Sequence, residues 1–465
     1  MDKLLLSIAF IMASFLALPA VADYAFTSLD VPWAMSTTPT SINESGQVAG
    51  VFTDGTGATH GFIYSVGLFT ALDVPGAVAY YTQTIGASIN INASGQVAGS
   101  FSDATGVFHG FVYSGGAFTT LDAPGSLDTY VAGINSKGQV AGYYTDASNF
   151  NHGFVYSGGN FTMLDAPGSL STRLTGINDS GQIVGSLTQA GHGFQSPFGY
   201  VNYQQGFLFS GGVFTILDPI NAPSQNVLTG VPLYSVATSI SPSGQVAGYA
   251  AYGPSTTGFI YNNGVFTIPI ALEPGTAFED INSSGQVVGY SNTLIFYGNG
   301  STATLAYGGV YLYSASVFTA MYTLLPTSSA AGWGLNTSTA INDAGQIVGS
   351  GTINGQSHAF LLTPISLTIN NPNNSWGTAV SNVGGIACGA TCSANFASGT
   401  AVTLTAIPAS GYEFTGWGGV CSGYGNSCSV TTTNAPQTVT ANFAPFKVHQ
   451  PTWKRAISPV NLGGN

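Results

Sequence analysis

The sequence predicts an all-β protein built around a seven-bladed β-propeller, and three recurring pieces carry this prediction. The first piece is I-N-x-x-G-Q-V/I-x-G, with Ser241 replacing Asn in the fifth copy, and it begins at Ile42, Ile91, Ile134, Ile177, Ile240, Ile281 and Ile341. The second is a G-F-V-Y-like strand at Phe62, Phe111, Phe154, Phe207, Phe259, Tyr311 and Phe360. The third is F-T-x-L-D at Phe26, Phe69, Phe118, Phe161, Phe214, Phe266 and Phe318, eroded after Thr in the last two. Repeats of this length are typical of solenoids or propellers.

The order of the pieces favours a closed ring. The repeats begin with an F-T piece and end with a G-F piece that no F-T piece follows. A linear solenoid has no use for this circular permutation, whereas in a ring the first strand completes the last blade. The sequence therefore predicts that Phe26 to Leu29 pairs beside His358 to Leu362, which removes the exposed sheet edges of an open array.

The third repeat shows why each copy is expected to form four short antiparallel strands. Two of its connections, Asn135–Gly138 and Ser157–Gly159, have the residues of tight hairpin turns. Asp165-Ala166-Pro167-Gly168 ends the last strand, because Pro donates no ladder hydrogen bond. The predicted strands are Val131–Ile134, Gln139–Asp146, His152–Tyr156 and Phe161–Leu164. Successive copies are about 43 residues apart, which is the period of propeller blades.

The repeat resembles a known bacterial extracellular family. The block Gly133-Ile134-Asn135, Gly138-Gln139-Val140 and His152-Gly153-Phe154-Val155-Tyr156 is similar to the HAF repeat, named after a His-Ala-Phe motif, which His358-Ala359-Phe360 matches literally. The resemblance covers roughly residues 24–363. It implies a bacterial, exported protein and brings no catalytic residues with it.

Composition and the first residues point to export. Residues 1–22 read as a secretory signal peptide, with Lys3, an apolar core from Leu4 to Leu18 and the small residues Ala20 to Ala22. A membrane anchor is the alternative, but the apolar run is short for a span. Removing Lys3 and Asp2 leaves 6 − 1 = 5 basic and 18 − 1 = 17 acidic side chains, so the mature charge stays at −12. This charge argues against nucleic-acid partners and anionic membranes.

A second module follows Thr363-Pro364, where the repeat stops. All four cysteines lie in residues 366–444, as the close pairs Cys388/Cys392 and Cys421/Cys428. Three pairings are formally possible, and the local one is favoured because each pair flanks a short Gly- or Ser-containing loop. Metal binding competes with this interpretation, but the module contains no His.

The same module resembles a bacterial surface domain. Gly399–Ala406, followed by Gly411-Tyr412, Gly416-Trp417 and Cys421-Ser422-Gly423, is similar to the divergent InlB B-repeat type. The resemblance implies a small β-rich adhesion or spacer domain. Residues 445–465 carry no anchor and are expected to be a flexible tail.

Recurring polar residues are predicted to be structural. Four histidines share one repeat position, where each is expected to close a turn and bond neighbouring backbone, and a metal ring is disfavoured because imidazole sites need convergent ligands. These are His60, His109, His152 and His358. Aspartates recur in the L-D-x-P and turn positions, where they normally bond local amides. No D-x-D-x-D-G loop occurs, so calcium is not favoured, and no cofactor is expected.

The sequence contains no recognised catalytic motif. It has no G-x-S-x-G, H-E-x-x-H or phosphate loop, and its one adjacent acidic pair is Glu279-Asp280. Insertions at 186–204 and 290–307 are the irregular places where function could be grafted. Phe198, Tyr200 and Tyr203 in the first insertion are the predicted ligand-binding residues, although packing of the insertion against its own blade is the simpler interpretation.

The resulting hypothesis is an exported surface or matrix protein, a monomer without turnover that binds a glycan or a protein. The alternative is a secreted polysaccharide hydrolase or lyase with its site at the channel mouth. The predicted domains are a signal peptide at 1–22, the propeller at 23–363, the surface module at 366–444 and the tail at 445–465.

Overall fold

The computed structural model is almost entirely β-structure. It describes residues 24–80, 89–196, 199–219, 234–252, 255–269, 275–297, 304–325, 332–383, 385–389, 391–396, 400–433 and 435–446. The predicted signal peptide lies outside these residues. The chain divides into two compact parts, a repeat region, Tyr24–Pro364, and a C-terminal module that begins at Ile365.

The strands of the repeat region form six sheets and are grouped here by sequence repeat as units 1 to 7, of which units 4 and 5 share one eight-stranded sheet through a parallel pairing of Gln204 with Tyr234. Unit 1 has Ser36–Ile42, Val48–Thr53, Thr59–Ser65 and Leu68–Leu72, and unit 2 has Ala79–Tyr80, Asn90–Ile91, Val97–Ser102, Phe108–Ser114 and Ala117–Leu121. Unit 3 has Asp128–Ile134, Val140–Thr145, Asn151–Ser157 and Asn160–Met163, and unit 4 has Ser169–Ile177, Ile183–Ser196, Gly199–Ser210 and Val213–Leu217. Unit 5 has Tyr234–Ile240, Val246–Tyr252, Ser255–Asn262 and Val265–Thr267, and unit 6 has Thr276–Ile281, Val287–Tyr297, Thr304–Ser314 and Val317–Ala320, followed by the 3-10 helix Met321–Leu324. Unit 7 has Gly334–Ile341, Ile347–Ile353, Gln356–Pro364 and the N-terminal strand Tyr24–Leu29.

The N-terminal strand pairs with the end of the repeat region. Phe26 lies opposite Leu362 and Leu29 opposite Ala359, in antiparallel register. Tyr24 and Leu29 are buried in this pairing. A strand more than 300 residues distant in sequence thus supplies the fourth strand of unit 7, as the count of F-T and G-F pieces requires.

The two insertions extend paired strands, and each has a register irregularity, between Thr188 and Gly193 in unit 4 and between Ser291 and Leu294 in unit 6. In unit 4 the second and third strands lengthen to Ile183–Ser196 and Gly199–Ser210, and they remain paired as far as Ser196 and Gly199. In unit 6, Val287–Tyr297 and Thr304–Ser314 are extended in the same way. The added residues continue the ladder hydrogen bonds of the repeat, which satisfies their backbone groups better than a loop would.

Each unit is packed around one aromatic ring and one glycine. The ring belongs to the G-F piece and is fully buried in all seven units, as Phe62, Phe111, Phe154, Phe207, Phe259, Tyr311 and Phe360. In unit 3, a Cβ on Gly142 would lie 2.6 Å from Phe154 Cζ and 2.2 Å from the Tyr130 carbonyl oxygen. The final Gly of I-N-x-x-G-Q-V-x-G is therefore required because the ring occupies the place of a side chain.

The asparagine of the repeat connects neighbouring units. In unit 3, Asn135 Oδ1 accepts hydrogen bonds from the amides of Lys137 and Gln139 and so closes the turn. Its Nδ2 donates to Gln139 Oε1 at 2.9 Å and to the carbonyl oxygen of Asn178, in unit 4, at 3.1 Å. The glycine of this turn, Gly138, has φ 74°, which L-residues rarely adopt.

The same bridge recurs along the repeat region and returns to its start. The Nδ2 donors and their carbonyl acceptors in the next unit are Asn43 to Asn92, Asn92 to Asn135, Asn178 to Ser241, Asn282 to Asn342, and Asn342 to Asn43. Within the described residues, unit 5 lacks the bridge because the side chain of Ser241 is a hydroxyl and has no amide group. Its hydroxyl contacts Ser243 Oγ instead, which donates to the Ser283 carbonyl oxygen at 3.4 Å.

The C-terminal module has a core of its own. Its strands form two sheets, Ser393–Asn395, Ser366–Asn370, Gln437–Pro445 and Tyr412–Gly419 in one, and Ala387–Cys388, Gly377–Ser381, Ala401–Pro408 and Ser427–Thr431 in the other. Leu367, Val402, Leu404, Val439 and Ala441 are fully buried between them. Disulfides join Cys388 to Cys392 and Cys421 to Cys428, the local pairing.

The predicted boundary at residues 444 and 445 falls inside the last strand, Gln437–Pro445. The last strand continues to Pro445, and the amide of Phe446 donates to the Gly411 carbonyl oxygen at 3.0 Å. Residues 447–465 lie outside the described residues. In the part of the chain that the structure describes, no helix is long and apolar enough to cross a membrane.

We expect Asn135→Ala to lower the free energy of unfolding by about 2 kcal/mol, because it leaves the buried carbonyl of Asn178 without its donor. Ser136→Ala is the matched control, since the contact of Ser136 to Asp179 uses its backbone amide. Urea unfolding of the two variants checks this. Equal midpoints for both would contradict the role assigned to the asparagine.

Candidate functional site

The recurring histidines bind carboxylates, not backbone. Each Nδ1 contacts an L-D-x-P aspartate, in the pairs His60–Asp73 (2.7 Å), His109–Asp122 (2.7 Å), His152–Asp165 (2.8 Å) and His358–Asp30 (2.9 Å). In units 1 to 3 the Nε2 also lies 3.4–3.5 Å from the turn aspartates Asp54, Asp103 and Asp146. The expected backbone bonding of these histidines is wrong: in units 1 to 3 both ring nitrogens contact carboxylates, and in unit 7 the Nδ1 of His358 does so.

These His–Asp contacts, here called clamps, raise the pKa of the histidine in units 1 to 3. In unit 1 the hydrogen bond of the imidazole to the Asp73 carboxylate raises the pKa of His60 above its usual value. The pKa values of His109 and His152 are raised too, because their aspartate partners outweigh the opposing effect of burial. A hydrogen bond from the Thr56 hydroxyl lowers the pKa of Asp54 to about 2. Within the described residues, no group of three or more His, Cys, Asp or Glu side chains could hold a metal ion.

We expect the clamps to stabilise the protein most near pH 5, between the usual pKa values of Asp and His. A raised histidine pKa gives stability that is lost as pH rises through the folded-state value. A lowered aspartate pKa gives stability that is lost as pH falls through it. The variant His60→Gln/His109→Gln/His152→Gln should therefore differ from the wild type in melting temperature more at about pH 5 than at about pH 8. A difference independent of pH would disprove this.

The adjacent acidic pair lies on the inner strand of unit 6, and Asp280 connects three units. Its Oδ1 accepts from Ser239 Oγ of unit 5 at 2.5 Å and its Oδ2 from the Ile341 amide of unit 7 at 2.8 Å. The Ile281 amide adds a third hydrogen bond at 2.9 Å. Burial raises the pKa of Asp280 to about 6, although the hydrogen bonds oppose the shift. Asp280 therefore acts as a structural bridge beside the unit that lacks the asparagine bridge.

Glu279 is placed differently. Four of the other units hold threonines at the equivalent position, and their hydroxyls donate to a carbonyl of a neighbouring unit, as Thr238 does to Phe278 at 2.8 Å. Units 2 and 3 hold Ile89 and Ala132 there. Burial, and then the charge of Asp280, raises the pKa of Glu279 to about 7. Its charge is felt by Tyr249 and Tyr290, and Tyr249 packs at 6.1 Å and 85° against Tyr234. Glu279 is thus a carboxyl group with a pKa near 7 that lies close to two tyrosines.

We expect Glu279→Gln to stabilise the protein more at pH 8 than at pH 5. The raised pKa means that the folded state favours the neutral form of Glu279. The wild-type protein therefore loses stability as pH rises from the unfolded-state pKa of Glu279 to its folded-state pKa. Melting temperatures of wild type and variant across this range check the sign. A variant whose advantage shrinks with rising pH would disprove the assignment.

The side chains of the three residues predicted to bind a ligand lie outside the described set. Phe198 lies outside the described residues. Tyr200 and Tyr203 belong to the extended strand Gly199–Ser210 of unit 4, where the backbone of Tyr200 lies opposite Gln195.

A cavity in the C-terminal module was missed by sequence reasoning. Its volume is 690 Å³, and it is lined by Thr415, Gly416, Trp417, Ser422, Gly423, Tyr424, Asn442 and Phe443. The loop closed by Cys421 and Cys428 folds over Trp417, whose amide donates to the Gly423 carbonyl oxygen at 2.8 Å and whose Nε1 donates to that of Gly425 at 2.9 Å. The available signal was an aromatic residue inside a short loop between paired cysteines.

The comparison with known families finds a similarity in the C-terminal module. Residues 377–447 match the Divergent InlB B-repeat domain, a bacterial surface-type repeat, whereas the resemblance to the HAF repeat is not shown. No curated protein matches the chain.

Solved structures similar to the chain are β-propellers of low identity. The β-propeller domain of the Trilobed protease from Pyrococcus furiosus has a TM-score of 0.46 and 10% identity, over 70% of this chain and 95% of that chain. The six-bladed fungal lectin from Aleuria aurantia has a TM-score of 0.31 and 11% identity, over 50% and 77%. The protein YCF48 bound to D1 peptide has a TM-score of 0.39 and 9% identity, over 75% and 97%. At these scores the likeness carries no functional argument.

Proposed function

We propose that the repeat region is a seven-bladed β-propeller, in which units 1 to 7 are the blades and Tyr24–Leu29 closes the ring. Two kinds of contact support this: the pairing of that strand with Gln356–Pro364, and the hydrogen bond of Asn342 Nδ2 to the Asn43 carbonyl oxygen at 3.0 Å. Thr339 Oγ1 also donates to the Pro39 carbonyl oxygen at 3.0 Å. Both hydrogen bonds join unit 7 to unit 1, as neighbouring blades of a ring require.

We further propose that the protein is an exported bacterial surface or matrix protein, a monomer that binds a glycan or a protein without turnover. In this proposal residues 1–22 are a signal peptide, 23–363 the propeller, 366–444 the surface module and 445–465 a segment that includes a loose tail. Two disulfides and the match to a bacterial surface-type domain support an extracellular location.

The extended hairpin of unit 4 is the observation that carries the binding role. It prolongs two ladder-paired strands beyond the length of the other units, and the inserted residues 186–204 contain no Asp, Glu, Lys or Arg. An uncharged β-platform with Phe198, Tyr200 and Tyr203 suits ligands recognised through aromatic contact and neutral hydrogen bonds.

The acidic pair gives little support for hydrolysis. A glycosidase needs two carboxyl groups facing each other across the bound sugar. Asp280 and Glu279 are instead consecutive on one strand, and both oxygens of Asp280 accept hydrogen bonds from the protein. The alternative function is a secreted polysaccharide hydrolase or lyase at the channel mouth, and Glu279, with its pKa near 7, is the residue that favours it.

A glycan array probed with the full-length protein, with a pull-down of extracellular proteins beside it, tests this function. We expect Tyr200→Ala/Tyr203→Ala to remove binding without changing the melting temperature, whereas Val213→Ala, at an exposed position of the same unit, should leave binding unchanged. Turnover of a polysaccharide that Glu279→Gln abolishes would refute the non-catalytic proposal in favour of the enzyme. Retention of full binding by the double variant would refute the hairpin as the site.

A further inference from the structure

We propose that the cavity beside Tyr424 in the C-terminal module is a binding site for a neutral saccharide, with the Tyr424 ring as its stacking surface. This site belongs to a different part of the chain from the hairpin of unit 4. It extends the proposed binding function to a second site and names the class of its ligand.

The cavity has the size and construction of a preformed small-molecule site. Its 690 Å³ falls within the range of about 300–1,000 Å³ that such sites occupy. Trp417 forms one wall and is only 6% exposed. Two hydrogen bonds from Trp417 to the loop, together with the disulfide Cys421–Cys428, hold the loop over it. A ligand would therefore meet a wall that is already ordered, so that little conformational entropy is lost on binding.

Tyr424 presents an aromatic face that the module itself leaves uncovered. Its side chain is 89% exposed, the highest exposure of any large hydrophobic residue described in the module. The ring nevertheless has a defined support, because its Cδ1 lies 3.3 Å from the point where a Cβ on Gly416 would be. Gly416 has φ 142°, a conformation that glycine permits. The glycine thus gives the ring a flat backbone surface to rest on.

The polar groups of the lining are neutral. Thr415 and Ser422 offer hydroxyls, and Asn442 offers an amide whose Nδ2 already donates to the Gly416 carbonyl oxygen at 3.2 Å. Residues 366–444 contain a single charged side chain, Glu413, which is not among the lining residues. An anionic ligand would need Arg or Lys, and a cationic one a carboxylate.

A sugar ring combines the two properties that this lining recognises. One face of a pyranose carries C–H groups that pack on an aromatic ring, and its hydroxyls both donate and accept hydrogen bonds at the rim. Tyr is suited to such a contact because it has an apolar body and a polar tip. The chemistry of the cavity therefore fits a neutral, hydroxyl-rich ligand better than a peptide with charged side chains.

The test uses the full-length protein and isothermal titration calorimetry with three defined neutral probes: cellohexaose, maltohexaose and hexa-N-acetylchitohexaose. We expect at least one to bind. Tyr424→Ala should weaken that binding at least about tenfold, whereas Tyr424→Phe should keep it within about twofold because the ring remains. Ile407→Ala, a half-exposed position of the same module outside the lining, is the control and should bind like wild type.

Three results would overturn the proposal: no binding of any of the three hexasaccharides, unchanged binding by Tyr424→Ala, or an equal loss with Ile407→Ala. Since Tyr424 is 89% exposed, its replacement should leave the melting temperature unaltered, so a lost signal reports on the site and not on folding. Tyr200→Ala/Tyr203→Ala serves as the second arm. If that variant still binds the probe while Tyr424→Ala does not, the probe binds at the cavity and its binding does not require the hairpin of unit 4.

Discussion

The asparagine bridge is the interaction on which the repeat region depends. One side chain performs two tasks: its Oδ1 closes the turn of its own unit, and its Nδ2 donates to a main-chain carbonyl of the next. In each case the acceptor is the carbonyl of the equivalent residue in the following unit. The bridges therefore hold the turns of neighbouring units at the same spacing. The adjacent glutamine reinforces this arrangement, since Gln96 Oε1 lies 3.2 Å from where a Cβ on Gly138 of the next unit would be. The motif is therefore a connector between units, and its recurrence needs no ligand.

Much of this architecture could be predicted from sequence because its causes are local and repeated. The hairpin turns, the strand count per unit and the pairing partner of Phe26–Leu29 follow from turn residues and from counting pieces. The role of Asn135 toward unit 4 did not follow, since a turn residue gives no sign that its second polar atom reaches another unit. The His152–Asp165 contact was missed for the same reason, although the two residues recur with constant spacing. The extended hairpins were missed because their composition is that of loops and the strand signal lies only in the pairing.

The candidate sites were harder to predict than the fold. Repetition identifies the residues that every unit needs, so function has to be sought at positions where one unit departs from the others. Glu279 is such a departure, because four of the other units have threonine there and the remaining two have Ile89 and Ala132. The cavity beside Tyr424 depends on a fold-back between Trp417 and Gly423 that no periodicity records. In the sequence these residues indicate a domain type, and they give no sign of the space that the loop encloses. The lining of the cavity contains no basic side chain, which agrees with the net charge of −12 of the whole chain.

The junction between units 5 and 6 is built differently from the others. Ser241 cannot make the asparagine bridge, and the longer contact from Ser243 to Ser283 stands in its place, while Asp280 ties unit 6 to the units on either side. The carboxylate of Asp280 becomes neutral when it is protonated, whereas a side-chain amide is neutral at any pH. Six junctions between units carry the neutral asparagine bridge, and this one depends on an ionisable carboxyl group. In the proposed propeller, mechanical load would therefore separate this junction first and leave the other six closed.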